Sequence, residues 1–136
     1  MNNYKIEEME QVGSIVGEIF ANVGITTVDL LLENTKTPTQ RYSLAEKTGI
    51  MESTILRYAN MADLFRIDGI GIEYSELLEV SGVDTVVELS NRIAENLLQK
   101  MSEINERDGL VVKLPALSQV ENWIISAKLL PREIEY

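Results

Sequence analysis

When the chain is laid over itself with position 9 on position 67, its first part matches its second, and this self-similarity restricts the fold more than any other feature. The stretch "MEQVGSIVGEIFANVGITTVDLL" (9–31) meets "IDGIGIEYSELLEVSGVDTVVEL" (67–89). Gly13 falls on Gly71, Glu18 on Glu76 and Gly24 on Gly82; Thr27 and Val28 fall on Thr85 and Val86, and Leu31 on Leu89. A second match needs a longer displacement, with position 55 on position 120: "ILRYANMADL" (55–64) meets "VENWIISAKL" (120–129), with Tyr58 on Trp123, Ala62 on Ala127 and Leu64 on Leu129. The extra length sits between these matches, so a loop grew in the second copy. We expect a tandem duplication within a single domain of 136 residues: repeat one over about 4–66, repeat two over about 67–130, and a tail at 131–136.

Between turn signals the chain reads as helices. Short helices are expected at 14–23 and 72–81, closed by Gly24 and Gly82, since glycine can take the left-handed conformation that ends a helix. "TGI" at 48–50 repeats the device. Thr26 and Asp84 are expected to cap the helices that follow. "TPTQ" (37–40) reads as a capping box with Pro38 at the first helical position, and "SQVE" (118–121) as another, with Ser118 as its cap. A helix over 92–104 would carry Ile93, Leu97, Leu98, Met101 and Ile104 as a core-facing stripe, and residues 53–65 and 119–129 are the longest candidate helices. Gly17, which costs about 1 kcal/mol in helix propensity, points to close packing of its helix. The exception is "NERDGLVVKLPALSQ" (105–119), where Asp108-Gly109 signals a turn, Pro115 resists helix, and Leu110, Val111 and Val112 are expected to be extended and packed on the core. Loop-length priors favour a packed connector over a functional loop there. The fold class expected is all-α.

The stretch "LFRIDGIGIEYSELLEVSGV" (64–83) resembles a helix-hairpin-helix motif. Gly69 and Gly71 permit a tight turn, Ile70 can point inward as a plug, and Leu64, Ile67, Leu77 and Leu78 would pack the two helices together. Such a turn leaves backbone N–H groups at the next helix's N-terminus, where a phosphate can sit. The first copy reads Gln11-Val12-Gly13 and lacks the first glycine. Over nearly the whole chain, the paired pattern resembles a bacterial family of tandem helix-hairpin-helix-like proteins of unknown function; Ile67 to Val83 and "NMADL" (60–64) are its most telling residues. The resemblance implies two fused repeats in one compact helical domain of a type common among nucleic-acid binders, and it implies no activity.

Charge argues against using that shape on nucleic acid. The formal net charge is −10, and non-specific DNA affinity comes from Lys and Arg neutralising phosphates. Residues 66–84 set Arg66 against Asp68, Glu73, Glu76, Glu79 and Asp84, and residues 5–18 set Lys5 against Glu7, Glu8, Glu10 and Glu18. The balance reverses in the equivalent portions of the two copies. Lys36, Arg41, Lys47, Arg57 and Arg66 face Glu46, Glu52 and Asp63 over 36–66, a net of +2. Arg107, Lys113, Lys128 and Arg132 face Asp108 and Glu121 over 107–132, again +2. Acidic hairpin faces beside milder basic faces suggest head-to-tail self-association or docking of a basic partner.

The chain has no Cys and no His, so disulfides, thiolate metal sites and Ser-His or Cys-His pairs are excluded. Glu73, Glu76 and Glu79 lie near one helix side, but no EF-hand pattern or phosphate loop accompanies them, so they read as a solvated acidic face. Tyr58 and Trp123 read as core. No catalytic, cofactor-binding or metal-ligating residue is expected; Gly13, Gly69, Ile70 and Gly71 form the candidate interaction edge. The tail "LLPREIEY" could pack on the domain or enter a partner's groove. The polar N-terminus and the lack of an apolar run long enough to cross a bilayer suggest a cytoplasmic protein that does not enter a membrane. The expected function is a non-catalytic protein–protein interaction or assembly module, acting through a protein partner or self-association. The alternative is nucleic-acid binding through the hairpin backbone amides or the milder basic helix faces.

Overall fold

Glycines and capping residues divide the chain into short helices. The computed structural model describes residues 4–136. A 3-10 turn at Ile6–Glu8 leads into α1 (Gly13–Ala21), α2 (Val28–Glu33), α3 (Pro38–Thr48), α4 (Glu52–Leu64), α5 (Gly71–Val80), α6 (Val86–Ser90), α7 (Ala94–Asp108) and α8 (Leu117–Leu129). No strand occurs among the described residues; Lys5 and Thr27 form an isolated antiparallel bridge. Element bounds recur at the two displacements seen in the sequence. Helices α1 and α5 start at the matched Gly13 and Gly71, and α2 and α6 at the matched Val28 and Val86. Helices α4 and α8 start at Glu52 and Leu117, in register with the second match, and both run 13 residues.

The hydrogen bonds that end and start these helices recur as well. The Ile25 amide donates to the Phe20 carbonyl and the Val83 amide to the Leu78 carbonyl, both at 2.9 Å. Between them Gly24 (φ 86°) and Gly82 (φ 93°) are left-handed, a conformation in which a Cβ would be strained. The N-caps of α2 and α6 are Thr27 and Thr85, one position beyond the expected Thr26 and Asp84. The chain stays extended through Thr27 and Thr85, so these are the boundary residues. Their hydroxyl oxygens accept from the Leu30 and Glu88 amides at 3.2 and 3.0 Å.

Thr37 and Gln40 form the expected reciprocal box, each accepting the other's amide at 3.1 Å. At α8 the expectation fails. The helix starts at Leu117, Gln119 Oε1 accepts the Ala116 amide at 2.8 Å, and Ser118 lies inside the first turn.

Helix α7 starts later than expected and is the longest, at 15 residues. Ile93 is its extended N-cap and is exposed, so the stripe on the core is Leu97 and Met101, with Leu98 and Ile104 half-buried. The helix continues through Asn105 to Asp108, and the Asn105 side chain turns to the connector. It accepts the Val111 amide at 2.9 Å and donates to the Val111 carbonyl at 3.1 Å. In the connector Leu110 and Val111 are half-buried and pack on the core as expected, whereas Val112 is fully exposed.

Helix α4 is the centre of the core. Ile55 and every residue from Tyr58 to Leu64 are buried, as in a helix surrounded by protein on all sides. It packs against α2 and α3, and also against α5 and α6, while α8 packs against α6 and α7. Tyr58 meets Phe20 edge-on at 6.0 Å and Trp123 meets Tyr74 at 5.4 Å, so the matched aromatics do pack in the core. Gly17 is needed for contact: a Cβ there would lie 2.9 Å from the Glu7 Cβ.

Candidate interaction surface

The two glycine turns carry the expected plug and packing but differ in how they are covered. In the second, Leu64, Ile67, Ile70, Leu77 and Leu78 are all buried, and Gly69 (φ 91°) and Gly71 (φ 44°) are left-handed on either side of Ile70. A Cβ on Gly71 would lie 2.7 Å from the Tyr4 hydroxyl, and one on Gly69 would lie 3.1 Å from the Trp123 indole nitrogen. The close approach of these two aromatics is what both glycines permit. In the first turn Val12 takes the plug position and is buried, and Gly13 (φ 74°) is left-handed with open space around it. Gln11 stands where the second turn has Gly69. Its side-chain amide donates to Met61 Sδ at 3.4 Å.

Carboxylates line both turns. Glu7, Glu8, Glu10 and Glu18 are exposed around the first, and Asp68 and Glu73 around the second. The three glutamates expected on one acidic face do not behave alike. Glu73 is exposed, whereas Glu79 accepts a two-pronged bond from Arg57 at 2.7 and 2.9 Å. Glu76 is half-buried, and its carboxyl is pushed up by burial, then by Glu10 and Glu79. The fold thus brings Glu10 of the first turn beside Glu76 of α5, a juxtaposition that helical spacing within α5 could not show. No group of three or more acidic side chains able to hold a metal ion occurs among the described residues.

The chain belongs to the family described as "Domain of unknown function (DUF4332)", whose model matches residues 10–130. No curated protein and no solved structure matches it.

In this DUF4332 chain residues 4–9 and 131–136, which flank the matched span, pack on the core. Tyr4 covers the second turn, as described above. At the other end the tail crosses α3 and α4. Ile134 is buried, the Tyr136 hydroxyl donates to Asn60 Oδ1 at 2.7 Å, and the Glu135 amide donates to the Lys36 carbonyl at 2.8 Å. Buried Arg41 donates to the carbonyls of Thr35 (2.8 Å) and Glu135 (2.6 Å). Glu133 pairs with Lys36 at 3.0 Å and with Arg66 at 3.6 Å, and Lys36 holds the Glu133 carboxyl below its usual range. Arg66 also donates to Asp63 at 2.6 Å; burial nonetheless pushes the Asp63 carboxyl up against the pull of that arginine. Sequence reasoning left the tail's place open. A signal was present: two carboxylates in the tail against a segment of net +2 at 36–66.

The tail and α5 change the reading of the basic face over 36–66. Lys36, Arg57 and Arg66 are engaged by Glu133, Glu79 and Asp63, and Arg41 is buried. The surface around the two turns is left with exposed carboxylates. That arrangement can attract cationic groups, and it repels polyanions.

Proposed function

We propose that this DUF4332 protein is a cytoplasmic, non-catalytic protein–protein interaction or assembly module built on two fused helix-hairpin-helix-like repeats in one domain. The recurrence of helix bounds, N-cap threonines and left-handed glycines supports two repeats. One observation carries the interaction reading: four of the five cations of 36–66 are paired or buried within the chain, with Lys47 left exposed, while the carboxylates of both turns face solvent. A basic protein partner therefore fits better than head-to-tail self-association through the 36–66 face, which would need those cations facing outward; exposed Lys113 and Lys128 leave only the 107–132 face for it. Nucleic acid, the alternative, would have to bind hairpin amides beside Asp68 and Glu73, at a turn that Tyr4 approaches closely, without the counterion release that drives such binding. The test is co-purification of the tagged protein at low and high salt, alongside an oligonucleotide titration. The expected result is a basic protein partner released by salt. Tight, salt-sensitive retention of the oligonucleotide at near-physiological ionic strength, damaged by Gly71→Glu, would replace the interaction reading with nucleic-acid binding.

A further inference from the structure

We infer that the groove between α7 and the connector before α8 seats the apolar side of a basic amphipathic helix supplied by a partner protein. The inference rests on the interaction reading above and adds to it a second surface, away from the glycine turns. The groove holds about 520 Å³. Leu98, Leu114, Pro115 and Leu117 give it apolar walls, Glu95 and Glu103 stand on its α7 side, and among the described residues no Lys or Arg lines it.

Three observations point to a docking groove rather than an incidental crevice. First, the ledge exists in one copy only: residues 50–51 link Gly49 to α4, whereas the longer stretch 110–116 links Gly109 to α8. Second, apolar side chains reach the surface here: Val112 is fully exposed, Leu114 is half-buried with one side on the core, and Leu117 at the start of α8 is exposed. Third, the ledge is held in place. Asn105 bonds both backbone groups of Val111, and the Tyr74 hydroxyl donates to the Lys113 carbonyl at 3.1 Å. A preformed groove spares the ordering cost that a mobile loop would impose on binding.

Charge complementarity selects the occupant. Glu95, Leu98, Ser102 and Glu103 share one face of α7 by helical spacing, so the groove follows that helix for about two turns. A helix lying alongside would set apolar residues at i, i+3 or i+4 and i+7 against the leucines, with Lys or Arg beside the two glutamates.

The test uses a designed helical peptide with Leu on one face and Lys on the other, and a counterpart carrying Glu for Lys. Both are titrated against the full chain by fluorescence anisotropy and mapped by hydrogen exchange. The Lys peptide should bind and protect residues 95–103 and 114–117; the Glu peptide should not bind. Glu95→Lys with Glu103→Lys, both at exposed positions, should weaken the Lys peptide by about tenfold or more. Leu117→Asp puts an acid in the first turn of α8, where the helix N-terminus favours it. It should weaken binding although it adds an attractive charge, and tighter binding would mean that carboxylates alone attract the peptide and no apolar seat exists. Protection over residues 73–79 instead would overturn the groove and leave the interaction reading standing. Absence of peptide binding overturns the groove as well, and the interaction reading then stands or falls on co-purification. Co-sedimentation with phosphatidylcholine vesicles, lost in Leu117→Asp, would assign the groove to a lipid surface and overturn the inference.

Discussion

Helices α4 and α8 have the same length and corresponding positions, yet the same register is buried in one and exposed in the other. Asn60 and Leu64 are 8% and 0% exposed, whereas their counterparts Ile125 and Leu129 are 55% and 78% exposed. Helix α4 has α5, α6 and the tail around it; α8 packs on α6 and α7, and this side of it stays open. Burial here follows position in the assembly of helices, not the hydrophobicity of the residue. The buried member of the first pair is the amide, tolerated because Tyr136 satisfies it, and the exposed member is isoleucine. The other flank behaves consistently. Ile6 and Met9, which fall on Leu64 and Ile67 at the shorter displacement, are buried as those residues are. The N-terminal 3-10 turn thus covers α1 where the end of α4 covers α5.

Truncating the same residue type in both helices tests this difference in burial directly. Leu64→Ala should cost about 2–5 kcal/mol through lost burial and the cavity left behind, while Leu129→Ala should stay within about 0.5 kcal/mol. Chemical denaturation of the two variants measures both. Comparable losses would mean that α8 is covered in solution, by a second copy or otherwise, and that the asymmetry is not a property of the free chain.

The repeat made much of the fold legible beforehand. Glycines at equal offsets ended helices where left-handed backbone was needed, and the plug and packing residues of the second turn all went inside. The errors came where local signals met tertiary contacts. Ile93 matches the stripe of α7 but sits at an extended cap with nothing over it. Asp108-Gly109 marked the turn, and the helix runs up to it, past the expected end at 104, with the Asn105 side chain bonded to Val111 across the turn. The acidic face was legible as charge and not as partnership. Arg57 reaches Glu79 from another helix, and Glu10 comes to Glu76 from the other repeat. The α7 groove depends on where the connector folds back, which spacing along the chain does not encode.

The two glycine turns offer a second, smaller contrast. Gly13→Ala meets no atom and should cost about 1 kcal/mol for a left-handed alanine. Gly71→Ala adds a clash with the Tyr4 hydroxyl and should cost about 2–3 kcal/mol. A cycle with Tyr4→Phe isolates the steric part, because removing the hydroxyl should recover most of the excess at Gly71 and none at Gly13. Equal costs at both glycines would show that Tyr4 does not close the second turn. Below this in size comes Tyr136→Phe, which removes the hydroxyl that satisfies buried Asn60 and should cost about 1 kcal/mol in thermal unfolding. Its equivalent side has no test, since α8 carries Ile125 there.

The smallest expected effect is also the most specific to the tail. Lys36 holds the Glu133 carboxyl below its usual value, so this pair adds stability above the ordinary glutamate range and loses it as pH falls through the lowered value. Asp63 works in the opposite sense. Burial raises its value, the folded chain takes up its proton more readily than the unfolded chain, and its contribution becomes more favourable as pH falls. The two cannot be separated in the wild-type stability profile alone. Glu133→Gln removes the acid-labile part, together with the smaller upward push that Glu133 exerts on Asp63. The variant should be less stable near neutral pH by no more than about 0.5 kcal/mol, since the pair is partly exposed. That difference should close as pH drops below the usual glutamate range. A gap that stayed constant from neutral to acid would mean that the glutamate acts by packing, and that the first copy's cations do not hold the tail by charge.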